Sequence, residues 1–143
     1  MKIYYREKSG GIEILRCFGI EGRVEIPGMI DGKLIISAAP YAFSSHMDEK
    51  EELKNASLWE VSDGLGFGRE EHVLAGNDVE EIVFPDTLKE IGRYIFYGCG
   101  NLKKLEFSDS LMQIGCGAFT GCHALEKLTV HMRQGKKSGV KEM

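Results

Sequence analysis

The sequence predicts an α/β solenoid: a right-handed coil of 23-residue turns, each a short strand followed by a helical or 3-10 turn, with a β-rich cap at its N-terminal end. Three observations predict it. Residues 79–101 and 102–124, superposed without a gap, agree at eight of 23 positions: Phe84/Phe107, Asp86/Asp109, Leu88/Leu111, Ile91/Ile114, Gly92/Gly115, Phe96/Phe119, Gly98/Gly121 and Cys99/Cys122. Ordinary composition gives roughly one or two such matches by chance. A third copy opens with Leu125, Leu128 and Val130. The division of roles inside one copy is the third observation. Leu102, Leu105 and Phe107 keep the spacing of a strand, while Asp109 and Ser110 suit a turn, because their short side chains bond nearby backbone. Leu111 and Ile114 point back inward, Gly115 lets the chain bend, Ala118-Phe119 begins a helical or 3-10 turn, and Gly121 closes it in a left-handed conformation. No single turn covers its own apolar face, so each depends on its neighbours and the end turns need caps.

The bounds agree with one folded domain. A chain of 143 residues with 43% apolar content can bury a core without metals or disulfides. Its net charge of -4 gives no general attraction for nucleic acid or an anionic membrane, and the four Lys/Arg of the tail are a feeble nucleic-acid signal against an acidic body. Residues 1–8 hold no apolar run of the signal-peptide kind, and no stretch approaches the roughly 20 apolar residues of a membrane span. The expected compartment is the cytoplasm, or the exterior if a leader has been removed. In the cytoplasm Cys17, Cys99, Cys116 and Cys122 stay reduced.

In chain order, the β-favouring runs of residues 2–6 and 12–18, with Ser9-Gly10-Gly11 between them, form a hairpin. A turn over 19–22 leads into Arg23-Val24-Glu25-Ile26-Pro27, where Val24 and Ile26 alternate with charge as in a half-buried strand and Pro27 stops its ladder. Asp31-Gly32 makes a tight turn before a further strand, and Tyr41-Ala42-Phe43 anticipates Ile95-Phe96 and Ala118-Phe119. The repeat is then interrupted by residues 47–54, whose helix formers, early acids and late lysine predict a short solvated helix. Residues 56–78 keep the 23-residue frame: Trp59 falls over Ile82, Val61 over Phe84, Asp63 over Asp86, Leu65 over Leu88 and Val73 over Phe96. They are expected to be a degraded copy, with Trp59 as a core filler. The expected division is a single domain over 1–132, followed by a disordered basic tail over 133–143. Within the domain, 1–45 are the cap and a first divergent repeat, 46–55 the inserted charged helix, 56–78 the degraded repeat and 79–132 the regular repeats.

Leu102, Leu105 and Phe107 also follow the L-x-x-L-x-L spelling that leucine-rich repeats use for one strand per turn. The strings Phe84-Pro85-Asp86-Thr87-Leu88-Lys89-Glu90-Ile91-Gly92, Phe96-Tyr97-Gly98-Cys99-Gly100-Asn101-Leu102 and Ala118-Phe119-Thr120-Gly121-Cys122-His123-Ala124-Leu125 resemble bacterial BspA-like leucine-rich repeats. Val24-Glu25-Ile26-Pro27, Ile30-Asp31-Gly32-Lys33 and Tyr41-Ala42-Phe43 resemble the N-terminal portion common in that family. The resemblance implies a curved strand-plus-helical-turn solenoid, and an association with protein binding and adhesion.

For a binding function the candidate face is the outward row of the strands. With Leu105 and Phe107 buried, alternation turns Lys104 and Glu106 outward, together with Glu81 and Val83 one turn earlier, Lys127 and Thr129 one turn later, and Leu58 and Glu60 in the degraded copy. The row mixes signs and carries none of the Trp, Tyr or Arg that dominate contacts, so a merely solvated sheet face is the competing reading. Cys99, Cys116, Cys122 and His123 number the four ligands of a structural zinc. Cys99 and Cys122, however, repeat one position as an inward ladder, and Cys116 stands where Arg93 does, so no metal is assigned. Gly64-Leu65-Gly66-Phe67-Gly68 departs from the dinucleotide fingerprint at Arg69, and no cofactor is expected. His46, His72, His123 and His131 sit in no catalytic motif. Leu125, Leu128 and Val130 form an uncapped last strand, a candidate self-association edge to be covered by the tail or by a second copy. The expected function is a non-enzymatic protein–protein interaction module with an unidentified protein partner. The alternative is a structural unit that assembles with itself into a homo-oligomer.

Overall fold

The computed structural model describes residues 1–47, 49–61, 71–132 and 140–142. Each regular turn of the chain gives one strand to each of two sheets, and the apolar residues of both meet between them. On one side β3 (Arg23–Glu25), β8 (Glu81–Val83), β10 (Lys104–Ser108) and β12 (Lys127–His131) lie parallel in that order. Glu81 pairs with Lys104 and Lys104 with Lys127, so the 23-residue spelling and the physical pitch coincide. On the other side β2 (Gly11–Gly19), β5 (Lys33–Ala38), β9 (Glu90–Ile91) and β11 (Gln113–Ile114) run parallel.

Stacking puts like residues over like. Phe84 and Phe107 lie face to face with ring centroids 5.2 Å apart, and Phe43, Phe96 and Phe119 form a second column at 6.0 and 5.8 Å. Such aromatic pairs add to the area they bury. The bends after Phe96 and Phe119 are single turns with 3-10-type bonds, not continued into helices: the Cys99 amide donates to the Phe96 carbonyl at 3.0 Å and that of Cys122 to Phe119 at 3.1 Å. Gly121 takes the expected left-handed backbone (φ 84).

The N-terminal cap is the predicted hairpin, β1 (Lys2–Lys8) antiparallel to β2. Its turn bends through Ser9 (φ 52) and Gly10 (φ 81). Asp31 (φ 49) and Gly32 (φ 76) make the second tight turn, between β4 (Met29–Ile30) and β5, with both central residues left-handed as the twist of a two-residue hairpin requires. The charged insertion forms one helical turn, α1 (Glu49–Glu52).

The described residues of the 56–78 segment, 56–61 and 71–78, form no turn of the stack. β3 pairs directly with β8, so its edge is already occupied and no layer fits between residues 23–25 and 81–83. The chain instead detours: β6 (Ser57–Glu60) runs antiparallel on the outer edge of β1, with Trp59 opposite Ile3, and β7 (His72–Val73) pairs with the end of β2. A 3-10 turn at Gly76–Asp78 brings it back. Trp59 is half-buried against the core from this edge, and Val61 is exposed. Asp63 and Leu65 lie outside the described residues, as does the Gly64–Gly68 stretch. The frame misleads there because an edge strand alternates with the same period as a stacked one.

The C-terminal end also departs from expectation. Part of the tail expected to be disordered is a strand, β13 (Val140–Glu142), antiparallel to β12 with Val130 opposite Lys141. Over Thr129–His131 the supposed self-association edge is therefore paired within the chain, which covers Val130 but not Leu125 or Leu128, and all three of these residues are half-buried. The uncovered strand is β11 on the opposite sheet. Ile114, expected inward, is 53% exposed and Met112 80%, whereas Ile14 and Ile91, in register with Ile114, are buried. Ile114 belongs to the last described turn of that sheet, and nothing stacks over it among the described residues.

Candidate functional site

The candidate strand face exists, with altered membership. Glu81, Val83, Lys104, Glu106 and Lys127 stand in register across β8, β10 and β12. Thr129 is only 4% exposed, because β13 lies beside it, with Glu142 opposite. Leu58 and Glu60 belong to β6 on the other sheet and take no part. Their places are filled by Arg23 and Glu25, which pair with Glu81 and Val83. The overlooked signal is that Val24-Glu25-Ile26-Pro27 has the pattern of Ile82-Val83-Phe84-Pro85, so the two strands could have been stacked without counting through the detour.

The row neutralises itself. Arg23 Nε lies 3.2 Å from Glu81 and its Nη1 3.2 Å from Glu25, while Lys104 Nζ lies 3.5 Å from Glu81. His131 Nε2 stands 3.0 Å from Glu106. Glu25, followed by Glu81, holds the Arg23 guanidinium more firmly protonated. Such exposed pairs contribute little stability, about 0–1 kcal/mol each, but they fix the pattern of charge.

The opposite sheet carries a polar ladder, buried at Glu13 and Ser37, half-buried at Glu90 and exposed at Gln113, that sequence reasoning did not single out. Glu13, Ser37, Glu90 and Gln113 occupy equivalent places on β2, β5, β9 and β11. They floor a groove of about 580 Å³ with Lys8 at one end and Met112 and Ile114 at the other. The Glu13 side chain is only 2% exposed and receives Arg6 Nε at 2.8 Å, Lys8 Nζ at 3.0 Å and Ser37 Oγ at 2.8 Å. Lys8 continues to Glu90 at 2.5 Å, and Ser37 reaches Glu90 at 3.0 Å. Burial pushes the Glu13 carboxyl up, but Lys8, Ser37 and Arg6 together outweigh it and hold the group below the usual carboxylate range. Glu90 is lowered chiefly by Lys8, against a smaller opposing effect of burial. Both folded-state values lie below the unfolded one, so the ladder's contribution is present above the ordinary carboxylate pKa of 4.5 and is lost as pH falls through the depressed values. Urea unfolding from pH 7 to pH 3 is expected to show stability falling below about pH 4.5. Glu13→Gln is expected to be less stable by about 1 kcal/mol at pH 7, since its cationic partners are exposed and solvent-screened, and to show a flatter acid slope. An unchanged slope would remove Glu13 from the account.

The cysteines follow the stack. Cys99 Sγ donates to the Phe43 carbonyl at 3.2 Å and Cys122 Sγ to that of Phe96 at 3.4 Å, the same bond one turn apart. Burial pushes the Cys99 thiol up to about 12 and the Cys122 thiol to about 11, which keeps both as inert, protonated fillers. Cys17 is buried and raised to about 12 by the same cause, Cys116 is exposed, and all four are free thiols. Among the described residues no three His, Cys, Asp or Glu side chains gather as a metal site requires. His46 contacts Tyr97 and His131 contacts Glu106, at separate places in the fold.

Comparison with known proteins bears on this geometry. The family described as "BspA type Leucine rich repeat region (6 copies)" matches residues 70–138. No curated protein sequence matches the chain at a significant level. Among solved structures, a leucine rich cell surface protein from Faecalibacterium prausnitzii A2-165 superposes with a TM-score of 0.57 at 20% identity, over 89% of this chain and 28% of its own. The T. pallidum Leucine Rich Repeat protein has a TM-score of 0.38 at 26% identity, over 85% of this chain and 65% of its own. The chain thus spans less than two thirds of the length of either protein. The first likeness shows the fold alone. With parallel strands one repeat apart and phenylalanines stacked turn on turn, residues 70–138 are a BspA-type leucine-rich repeat region, and the chain as a whole folds as a leucine-rich-repeat solenoid.

Proposed function

We propose that this chain is a non-enzymatic protein–protein interaction module. The observation that carries the reading is the in-register row across β3, β8, β10 and β12. It offers a partner equivalent positions at the roughly 4.8 Å spacing of adjacent strands, on a scaffold whose turns hold one another rigid. Repeat stacks of this kind present extended surfaces rather than enclosed sites. Affinity capture with the purified chain tests it, comparing the wild type with a Glu81→Lys, Lys104→Glu double variant that swaps the two charges. A partner docking on the row is expected to lose at least about tenfold in capture. Failure to hold any protein above the level of a heat-unfolded control sinks the reading.

A second reading, self-association, is favoured by one observation: β11 is an edge strand that exposes Met112 and Ile114. Long or apolar edges invite pairing with another chain. Under that reading the captured protein is the chain itself, and sedimentation detects a concentration-dependent dimer; under the first it remains monomeric.

A further inference from the structure

The tyrosine corner beside the stack provides a more specific contact than the strand row. Tyr41 and Tyr94 occupy the same place in successive turns, as the Tyr41 amide bonding to the Arg93 carbonyl and the Tyr94 amide bonding to that of Cys116 confirm. Both residues are left-handed (φ 61 and 51), a conformation that glycine adopts more easily and that Gly117 (φ 68) adopts in the third turn. Unlike the Ser9 and Asp31 of the hairpin turns, tyrosine has no short polar side chain to ease this backbone, so the two positions are strained ones.

Here the result is a continuous strip of rings. Tyr41 stacks on Tyr94 at 5.6 Å, Tyr94 meets Tyr97 edge-on at 5.8 Å, and Tyr97 meets His46 edge-on at 4.7 Å. The three tyrosines are half-buried, and none of their hydroxyls has a hydrogen-bond partner among the described residues, whereas Tyr5 donates to Asp31 at 2.9 Å. Half-buried rings with unused hydroxyls are typical of contact surfaces, where one side is apolar and the other awaits a polar group.

The corner carries charges of both signs. Arg6, Arg93 and the carboxylate of Glu52 line a cleft of about 350 Å³ beside Tyr41 and His46. Arg6 is committed to Glu13, but Arg93 is exposed and makes no ion pair among the described residues. One available guanidinium beside three tyrosines, on a chain of net charge -4, is the composition that dominates protein contacts and that the strand row lacks.

We infer that the corner formed by Tyr41, Tyr94, Tyr97, His46 and Arg93 is the docking surface for an acidic, aromatic-bearing peptide segment of a partner protein. A carboxylate of the segment pairs with Arg93, a ring enters the cleft against Tyr41, and backbone carbonyls accept from the free tyrosine hydroxyls. The inference rests on the reading of the chain as an interaction module and adds to the strand row a second, separate contact at the turns.

The test uses a displayed random peptide library, of peptides about 12 residues long, selected on the whole wild-type chain. Selected peptides are expected to combine Asp or Glu with Tyr, Trp or Phe. They are expected to bind Arg93→Glu and Tyr97→Ser at least about tenfold more weakly than the wild type, and to bind the Glu81→Lys, Lys104→Glu variant unchanged. Matching melting temperatures confirm that the two corner variants, one at an exposed and one at a half-buried position, remain folded. Peptides that bind either folded corner variant like the wild type overturn the inference. If the same peptides fail on the strand-row variant, the corner falls and the interaction-module reading stands. No enrichment on the wild type overturns both.

Discussion

Gly92→Ala is expected to lower the stability of the folded chain by about 3 kcal/mol, at the upper end of what overpacking costs. A Cβ at Gly92 would stand 2.3 Å from the Pro40 amide nitrogen and 2.7 Å from the Ala39 carbonyl carbon. These are backbone atoms of the neighbouring turn, which cannot swing away as the end of a side chain can. They are also held in place, since the Gly92 amide donates to the Ala38 carbonyl at 2.8 Å. The stack must therefore open between two turns, or the strand ladder must distort. For a domain of this size the loss corresponds to roughly 10 °C in melting temperature, read by calorimetry. Gly28→Ala is the control, because its added carbon would meet nothing nearer than 3.8 Å, and its melting point is expected to stay within about 2 °C of the wild type. Equal behaviour of the two variants would mean that the close approach of adjacent turns is not what demands glycine at Gly92.

Phe96→Ala is expected to be the most damaging side-chain truncation, at about 3–5 kcal/mol. Phe96 is completely buried in the middle of a column, stacked on Phe43 at 6.0 Å and Phe119 at 5.8 Å, with Phe84 of the neighbouring column at 6.2 Å. Removing its ring leaves a void walled by three other rings, each carried by a turn that is hydrogen-bonded to the next. The site therefore has little freedom to collapse. Phe119→Ala removes the same group from the last turn of the column, where the ring is only partly buried, and is expected to cost about half as much. Denaturant unfolding measures both. A Phe119 variant as unstable as the Phe96 variant would show that position in the column does not govern the loss.

The regular turns are legible in the sequence because each one solves the same problem with the same residues. Phe84 and Phe107 recur because their rings touch, and Gly92 and Gly115 recur because each meets the backbone of the preceding turn. The detour is illegible for the opposite reason. Ser57–Glu60 alternates as a stacked strand does, and only the partner tells them apart: β6 pairs with β1, while the place expected for it beside β8 belongs to β3. A periodic frame extended through it carries Leu58 and Glu60 onto the wrong sheet. The polar ladder is hidden by ordinary expectation, since Glu13 reads as a solvated residue in a hairpin until Arg6, Lys8 and Ser37 are seen to enclose it. The corner is spelled out by Tyr41 and Tyr94, yet their stacking emerges only when the turns between which the detour runs are recognised as neighbours.

The direct seam between β3 and β8 bears on how the molecule assembles. β8, β10 and β12 join across one repeat each, whereas β3 must find β8 across the whole excursion from residue 26 to residue 80. Bringing more distant segments together costs more chain entropy, though only by about 0.6 kcal/mol for each doubling of the loop. The regular turns can thus zip up locally while the hairpin cap forms on its own, leaving the junction between these two halves as the last to close and the first to part. Around α1, outside the stack, sequence can be added to or trimmed from this excursion without altering the pitch of the coil, which makes it a place to gain or lose a peripheral element while the repeats stay as they are.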